Sequence, residues 1–155
     1  MIRKLAHLCL VSDQLDVMLD FYTQKLGFEI KFNFRTPKGE LFGAYLATGD
    51  TTFVEIFDRV LKHEMWGKGS ELTPLKQGDQ MNHFCFEVTG LKEFIAVLES
   101  RGVKIRNVKT AMDYSHQAWT SDPDGNSIEL MEYTGASWQL VGNGDTERRS
   151  SNASR

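Results

Sequence analysis

A short apolar strand that begins with histidine occurs twice in this chain, and the repeat restricts the fold more than any other feature. The first copy is Leu5-Ala6-His7-Leu8-Cys9-Leu10-Val11 and the second is Asn82-His83-Phe84-Cys85-Phe86-Glu87-Val88. An amphipathic helical pattern follows each copy. Leu15, Met18, Leu19, Tyr22 and Leu26 recur at helical spacing before Gly27, and Leu91, Phe94, Ile95 and Leu98 do so before Gly102. His7 to Gly27 is 20 residues and His83 to Gly102 is 19; His7 to Glu55 is 48 and His83 to Glu129 is 46. β-rich runs at 28–34, 41–47 and 51–57 complete the first unit, and runs at 103–108, 115–121 and 127–133 complete the second. Thr36-Pro37-Lys38-Gly39, Gly49-Asp50 and Asp122-Pro123-Asp124-Gly125 supply the turns between them. The pattern predicts an α+β fold of two βαβββ modules, at 1–57 and 81–134. A connector at 58–80 would begin with a short helix and carry the loop Trp66-Gly67-Lys68-Gly69-Ser70. Residues 135–155 read as a C-terminal tail, Ser-, Asn- and Arg-rich from Gly142 onward and expected to be flexible.

Alternation along a strand decides which side chains share a face. His7, Cys9 and Val11 lie together, opposite Leu8 and Leu10, and the apolar pair should pack on the helix. His83, Cys85 and Glu87 lie together in the same way, opposite Phe84, Phe86 and Val88. Glu55 sits between Val54 and Ile56, and Glu129 between Ile128 and Leu130, so each carboxylate should point away from the helix. Two imidazoles and two carboxylates then face the same way. A desolvated carboxylate without a partner is costly, and a divalent cation neutralises two of them. His7, Glu55, His83 and Glu129 are therefore the expected metal ligands, for Ni, Zn, Mn, Fe or Co. If Asp122 and Gly125 close the last hairpin, Ala118 lies across from Glu129 and His116 shares the inward face, which makes it a further candidate acid-base group. Its counterpart in the first module is Phe42.

Other classes of function find no support. A net charge of -3 over 155 residues argues against a nucleic-acid footprint or a polybasic membrane face. No apolar run approaches the roughly 20 residues of a membrane helix. Met1-Ile2-Arg3-Lys4 leads straight into a strand without the apolar segment of a signal peptide, which points to the cytoplasm. Cys9 and Cys85 make no disulfide framework and read as reduced thiols. The expected partner is a small molecule.

The runs His7-Leu8-Cys9-Leu10-Val11, Phe21-Tyr22-Thr23-Gln24-Lys25-Leu26-Gly27 and Asp122-Pro123-Asp124-Gly125-Asn126-Ser127-Ile128-Glu129-Leu130 resemble the vicinal oxygen chelate superfamily, whose best-known member is glyoxalase I. The resemblance spans residues 4 to 134. It implies curved mixed sheets that pair to enclose a metal, with ligands at the positions of His7, Glu55, His83 and Glu129. It implies a metal-dependent isomerase, epimerase or lyase working through a chelated enediolate, with Glu129 and Glu55 as the proton-moving groups. The same fold also serves as a non-catalytic, drug-sequestering protein. A homodimer is implied, and members of the superfamily assemble the four ligands either within one chain or across two. Bacterial glyoxalase I proteins have Arg and Asn where this chain has Val11 and Arg59, so the chain departs from the glyoxalase I pattern at positions that bear on glutathione.

Overall fold

The computed structural model describes residues 5–76 and 82–141; the remainder, including the expected tail at 142–155, lies outside the described residues. Two four-stranded sheets form. In the first, β1 (His7–Ser12) runs parallel to β4 (Thr52–Asp58), and β3 (Leu41–Gly49) and β2 (Glu29–Arg35) continue antiparallel, in the order β1-β4-β3-β2. In the second, β5 (Phe84–Glu87) is parallel to β8 (Ser127–Glu132), and β7 (His116–Ser121) and β6 (Arg106–Thr110) follow, in the order β5-β8-β7-β6. The two βαβββ modules expected from the repeat are therefore present, each as a mixed sheet with its own helix.

Helix α1 (Leu15–Asp20) continues into a π-helical turn at Phe21–Lys25. The Ser12 hydroxyl accepts the Gln14 N–H at its start, and Gly27, at φ 83°, ends it in the left-handed region that glycine adopts without a steric penalty. Leu15, Met18, Leu19, Tyr22 and Leu26 are all buried, as their spacing predicts. They pack against Leu10, Ala44, Leu46, Val54 and Ile56 on one face of the first sheet. Each large apolar side chain so buried contributes roughly 1.5–3 kcal/mol. Helix α2 (Arg59–Trp66) is the short helix expected at the head of the connector; Asp58 caps it by accepting the Leu61 N–H at 2.8 Å. Helix α3 (Leu91–Ser100) buries Leu91 and Leu98 on the second sheet. Its first turn is held by Glu132 of β8, whose carboxylate accepts the N–H groups of Gly90 and Leu91. Residues 138–141 form a further short helix, α4 (Trp138–Val141), so the expected tail is ordered at its start. Ser137, just before it, is buried with Ser115, their hydroxyls 2.9 Å apart.

The helix-bearing faces of the two modules share one core, which also takes in Val103, Ala118, Ile128 and Leu130. Polar bonds cross the same seam. The Tyr22 hydroxyl donates to Asp122 Oδ2 at 2.9 Å in a buried setting, Gln14 donates to Asp124 Oδ1 at 2.6 Å, and Arg101 donates to the Lys25 carbonyl at 2.8 Å. The Phe28 and Phe86 rings meet edge to face at 5.1 Å. The sheets are curved and not closed on each other. An apolar cleft of about 630 Å³ separates edge strands β1 and β5, with His7 on one rim and Cys85 and Glu87 on the other.

Candidate metal centre

Strand pairing places each predicted ligand pair side by side. Cys9 is the register partner of Glu55, and Cys85 is that of Glu129. His7 Nε2 lies 3.9 Å from Glu55 Oε2, and His83 Nε2 lies 3.2 Å from Glu129 Oε2. The other ring nitrogen of each histidine is already engaged. His7 Nδ1 is 3.2 Å from the Tyr45 hydroxyl, and His83 Nδ1 is 2.9 Å from Asn82 Oδ1. A carbonyl oxygen can only accept, so Asn82 holds a proton on His83 Nδ1 and turns Nε2 toward Glu129. This is the usual way an outer hydrogen bond aims a histidine at a metal.

Glu129 is only 4% exposed, and its Oε1 has no hydrogen-bond partner. A buried carboxylate oxygen left in this state is costly unless a cation faces it. Two imidazole nitrogens and two carboxylates also suit a borderline divalent ion. The residues therefore fit a metal. Beside each glutamate stands a thiol. Burial, followed by a hydrogen bond and the charge of Glu55, pushes the Cys9 thiol up to about 12. Burial, followed by the charge and a hydrogen bond of Glu129, pushes Cys85 up to about 12. Both are proton-bearing neighbours at neutral pH and not thiolates.

The two pairs do not meet within the chain. Among the described residues no three of His, Cys, Asp and Glu come close enough to hold a metal. Each module thus carries a histidine-glutamate pair of its own. The modules join through their helix-bearing faces, which share one core.

His116 is corrected. The Gly125 N–H donates to the Asp122 carbonyl at 3.0 Å within the turn, but these two residues do not close the strand ladder. Gly125 adopts φ 82°, and Asp122 and Asn126 close the hairpin through the Asp122 N–H to Asn126 carbonyl bond at 3.1 Å. The loop is a turn followed by a glycine bulge, which adds one residue to the count. Trp119 is therefore opposite Glu129, and Ala118 is opposite Leu130. His116 is opposite Glu132, on the helix side of the sheet, where its Nδ1 lies 3.0 Å from the Thr110 hydroxyl. It takes no part in the half-site.

The same shift brings in two aromatic residues that the sequence reading missed. Tyr45 is opposite Glu55 and Trp119 is opposite Glu129. Trp119 stands edge-on to the His83 ring at 4.8 Å, and Tyr45 is 5.6 Å from the His7 ring. Each precedes its glutamate by 10 residues, so the duplication marked them. Phe42, expected on the pocket wall, is buried against Phe34, Phe57 and Trp66.

Comparison with known proteins agrees with this fold. No curated protein matches the chain. Solved structures do. A lactoylglutathione lyase from Agrobacterium tumefaciens is similar at 21% identity and TM-score 0.63, covering 86% of this chain and 94% of its own. A glyoxalase family protein from Enterococcus faecalis is similar at 24% identity and TM-score 0.63, covering 84% of this chain and 98% of its own. An antibiotic-binding protein from a Streptomyces species is similar at 24% identity and TM-score 0.63, covering 86% of this chain and 98% of its own. At such identities the likeness concerns the fold. The sequence model of one family matches residues 4–130, across both modules and all four candidate ligands, and the chain thus belongs to the Glyoxalase/Bleomycin resistance protein/Dioxygenase superfamily.

Proposed function

We propose that the protein is a metal-dependent, glyoxalase-like isomerase, epimerase or lyase whose centre is assembled from two copies of the chain. The observation that carries this is the buried Glu129, one oxygen of which has no hydrogen-bond partner, beside the His83 imidazole, repeated in a second histidine-glutamate pair. His7 and Glu55 of one copy would meet His83 and Glu129 of the other. The shared core and the buried Tyr22–Asp122 bond hold the two modules of one chain in place, so a second copy is the partner that brings the pairs together.

When bound, a divalent ion supplies Lewis-acid polarisation of paired oxygens on a small substrate. The chain's own residues do the remaining work. The two histidines hold position through Tyr45 and Asn82. Glu129, with its free oxygen in a dry setting, is the group to take a proton from carbon and return it, and Glu55 is its counterpart from the other module. Trp119 and Tyr45 wall the histidines and limit water.

The exposed aromatic rings beside Glu55 favour a second reading, a protein that sequesters a small molecule without turning it over. Elemental analysis and a turnover screen over dicarbonyl, hydroxy-acid and keto-sugar substrates separate the two. Metal bound at one ion per composite site, with turnover that Glu129→Gln abolishes while the variant stays folded, supports the enzyme. Purified protein that carries no metal and gains none from Ni, Zn, Mn, Fe or Co overturns it.

A further inference from the structure

The seam between the modules holds a hollow of about 360 Å³ whose lining includes none of the four candidate metal ligands. Phe21 and Lys25 reach it from the first module, and Lys104, Arg106, Ser121 and Pro123 from the second. Three bonds between elements pin its walls. Arg101 donates to the Lys25 carbonyl at 2.8 Å, the Thr120 hydroxyl donates to the Lys104 carbonyl at 3.0 Å, and the Tyr22 hydroxyl donates to Asp122 at 2.9 Å. The shape is therefore set before a ligand arrives, which lowers the cost of binding one. Charge in the hollow is one-sided. Lys25, Lys104 and Arg106 line it, and among the described residues none of the three forms an ion pair. Neutral groups alone hold Arg106: its guanidinium donates to the Ser121 hydroxyl at 2.9 Å and to the Ser127 hydroxyl at 3.0 Å. A guanidinium has five N–H donors, so others remain. Asp122 is the one acid in the lining, and it is already engaged. It is buried, and its two oxygens accept four bonds from Tyr22, Asn126 and Asp124. Building the sheet does not require a cation at 106, because the matching row of the first sheet carries Phe32 there.

We propose that this hollow is a second binding site, separate from the metal centre, and that it takes a phosphate group. Arg106 supplies a planar fork, and Lys25 and Lys104 supply point charges. A phosphate monoester carries a charge of about -1.5 to -2 at neutral pH and three strong acceptor oxygens, which suits three cations better than a carboxylate does. Like charges set around one hollow repel, and an anion between them turns that repulsion into attraction. The end of the first helix at Lys25 offsets only about half a charge, so it does not replace the anion. Phe21, Val103 and Pro123 add apolar surface beside the cations, where the organic part of an ester can lie. A ligand seated there touches both modules at once.

The test is calorimetric titration of the full chain with inorganic phosphate and with phenyl phosphate, in a low-salt buffer without phosphate. One molecule should bind per chain. Tighter binding of phenyl phosphate identifies the source as a monoester; equal affinities identify it as free phosphate. Lys104→Gln and Arg106→Gln should each weaken binding about tenfold or more, the loss expected for one charge-assisted contact. Lys104 makes no side-chain bond within the chain, so Lys104→Gln tests binding without disturbing the fold, and an unchanged unfolding midpoint verifies this. Lys92→Gln removes the same charge from helix α3 outside the hollow and should leave affinity unchanged. Absence of binding by either compound overturns the proposal. So does a loss in Lys92→Gln equal to that in Lys104→Gln, which would mark a general effect of net charge. The titrations are repeated after metal chelation: unchanged affinity upholds a separate site, and lost affinity places the anion on the metal and overturns the proposal while leaving the metal centre standing.

Discussion

Asp122 is the residue on which the join between the modules depends. Its carboxylate accepts the Tyr22 hydroxyl, the Asn126 side-chain and backbone N–H groups, and the Asp124 N–H. Tyr22→Phe removes one of these donors and should cost about 1–3 kcal/mol, read as a lower urea midpoint at unchanged slope. The carboxyl itself is raised above its ordinary 3.8, chiefly by burial, with the bonds from Asn126 and Tyr22 pulling the other way. A raised value means that the folded protein keeps this proton longer than the unfolded chain does. The associated stability is complete below 3.8 and is lost as pH rises through the folded value. The stability difference between the native protein and Asp122→Asn should therefore shift against the native protein over that window; a difference that stays flat with pH would show that burial does not perturb this group. Tyr45 is the matching residue at the metal half-site. Tyr45→Phe removes the group that orients His7 while keeping the ring, and metal affinity should fall about 10- to 100-fold with little change in unfolding midpoint.

Among the elements, the last hairpin shows how much one turn can decide. Gly125 in the left-handed region lengthens the loop by one residue, and a one-residue slip in a strand exchanges its two faces. That slip put Trp119 into the half-site and took His116 out of it. Gly125→Ala should destabilise by about 1–2 kcal/mol, because an L side chain pays for that backbone conformation. Gly43 on β3 is constrained for a different reason. A Cβ there would stand 2.2 Å from the Phe57 ring and 2.9 Å from the Ile56 carbonyl. The ring has neighbours on several sides and the carbonyl is backbone, so neither yields easily. Gly43→Ala should lower stability by about 1–3 kcal/mol and disturb the packing of Phe57 against Phe34, Phe42 and Trp66 as well. The helices and most strands were legible in the sequence because apolar spacing reports burial directly. The turn was not, because Asp122-Pro123-Asp124-Gly125 fits both a two-residue loop and a turn with a bulge.

For the whole molecule, the open question is where the two half-sites meet, and two deficient chains can answer it. Mixed Glu55→Gln and Glu129→Gln chains, unfolded and refolded together, form heterodimers. Across-chain assembly gives one doubly damaged site and one intact site, so metal binding and turnover should partly return. Assembly within each chain leaves every site damaged, and no recovery would be seen. Size-exclusion chromatography with light scattering should find the native protein as a dimer. Among the described residues no helix is long and apolar enough to cross a membrane.

The repeat, its strands and helices, and the identity of the four candidate ligands were written in the spacing of His7, Glu55, His83 and Glu129, since alternation and helical periodicity are local and survive in one dimension. The relation between the two pairs was not. It depends on which faces the modules use to join, and both faces of each sheet offer a plausible surface to a reader of the sequence. Only the packed structure shows how the modules join, with the helix-bearing faces forming one core through Tyr22 and Asp122 and each histidine set beside its own glutamate.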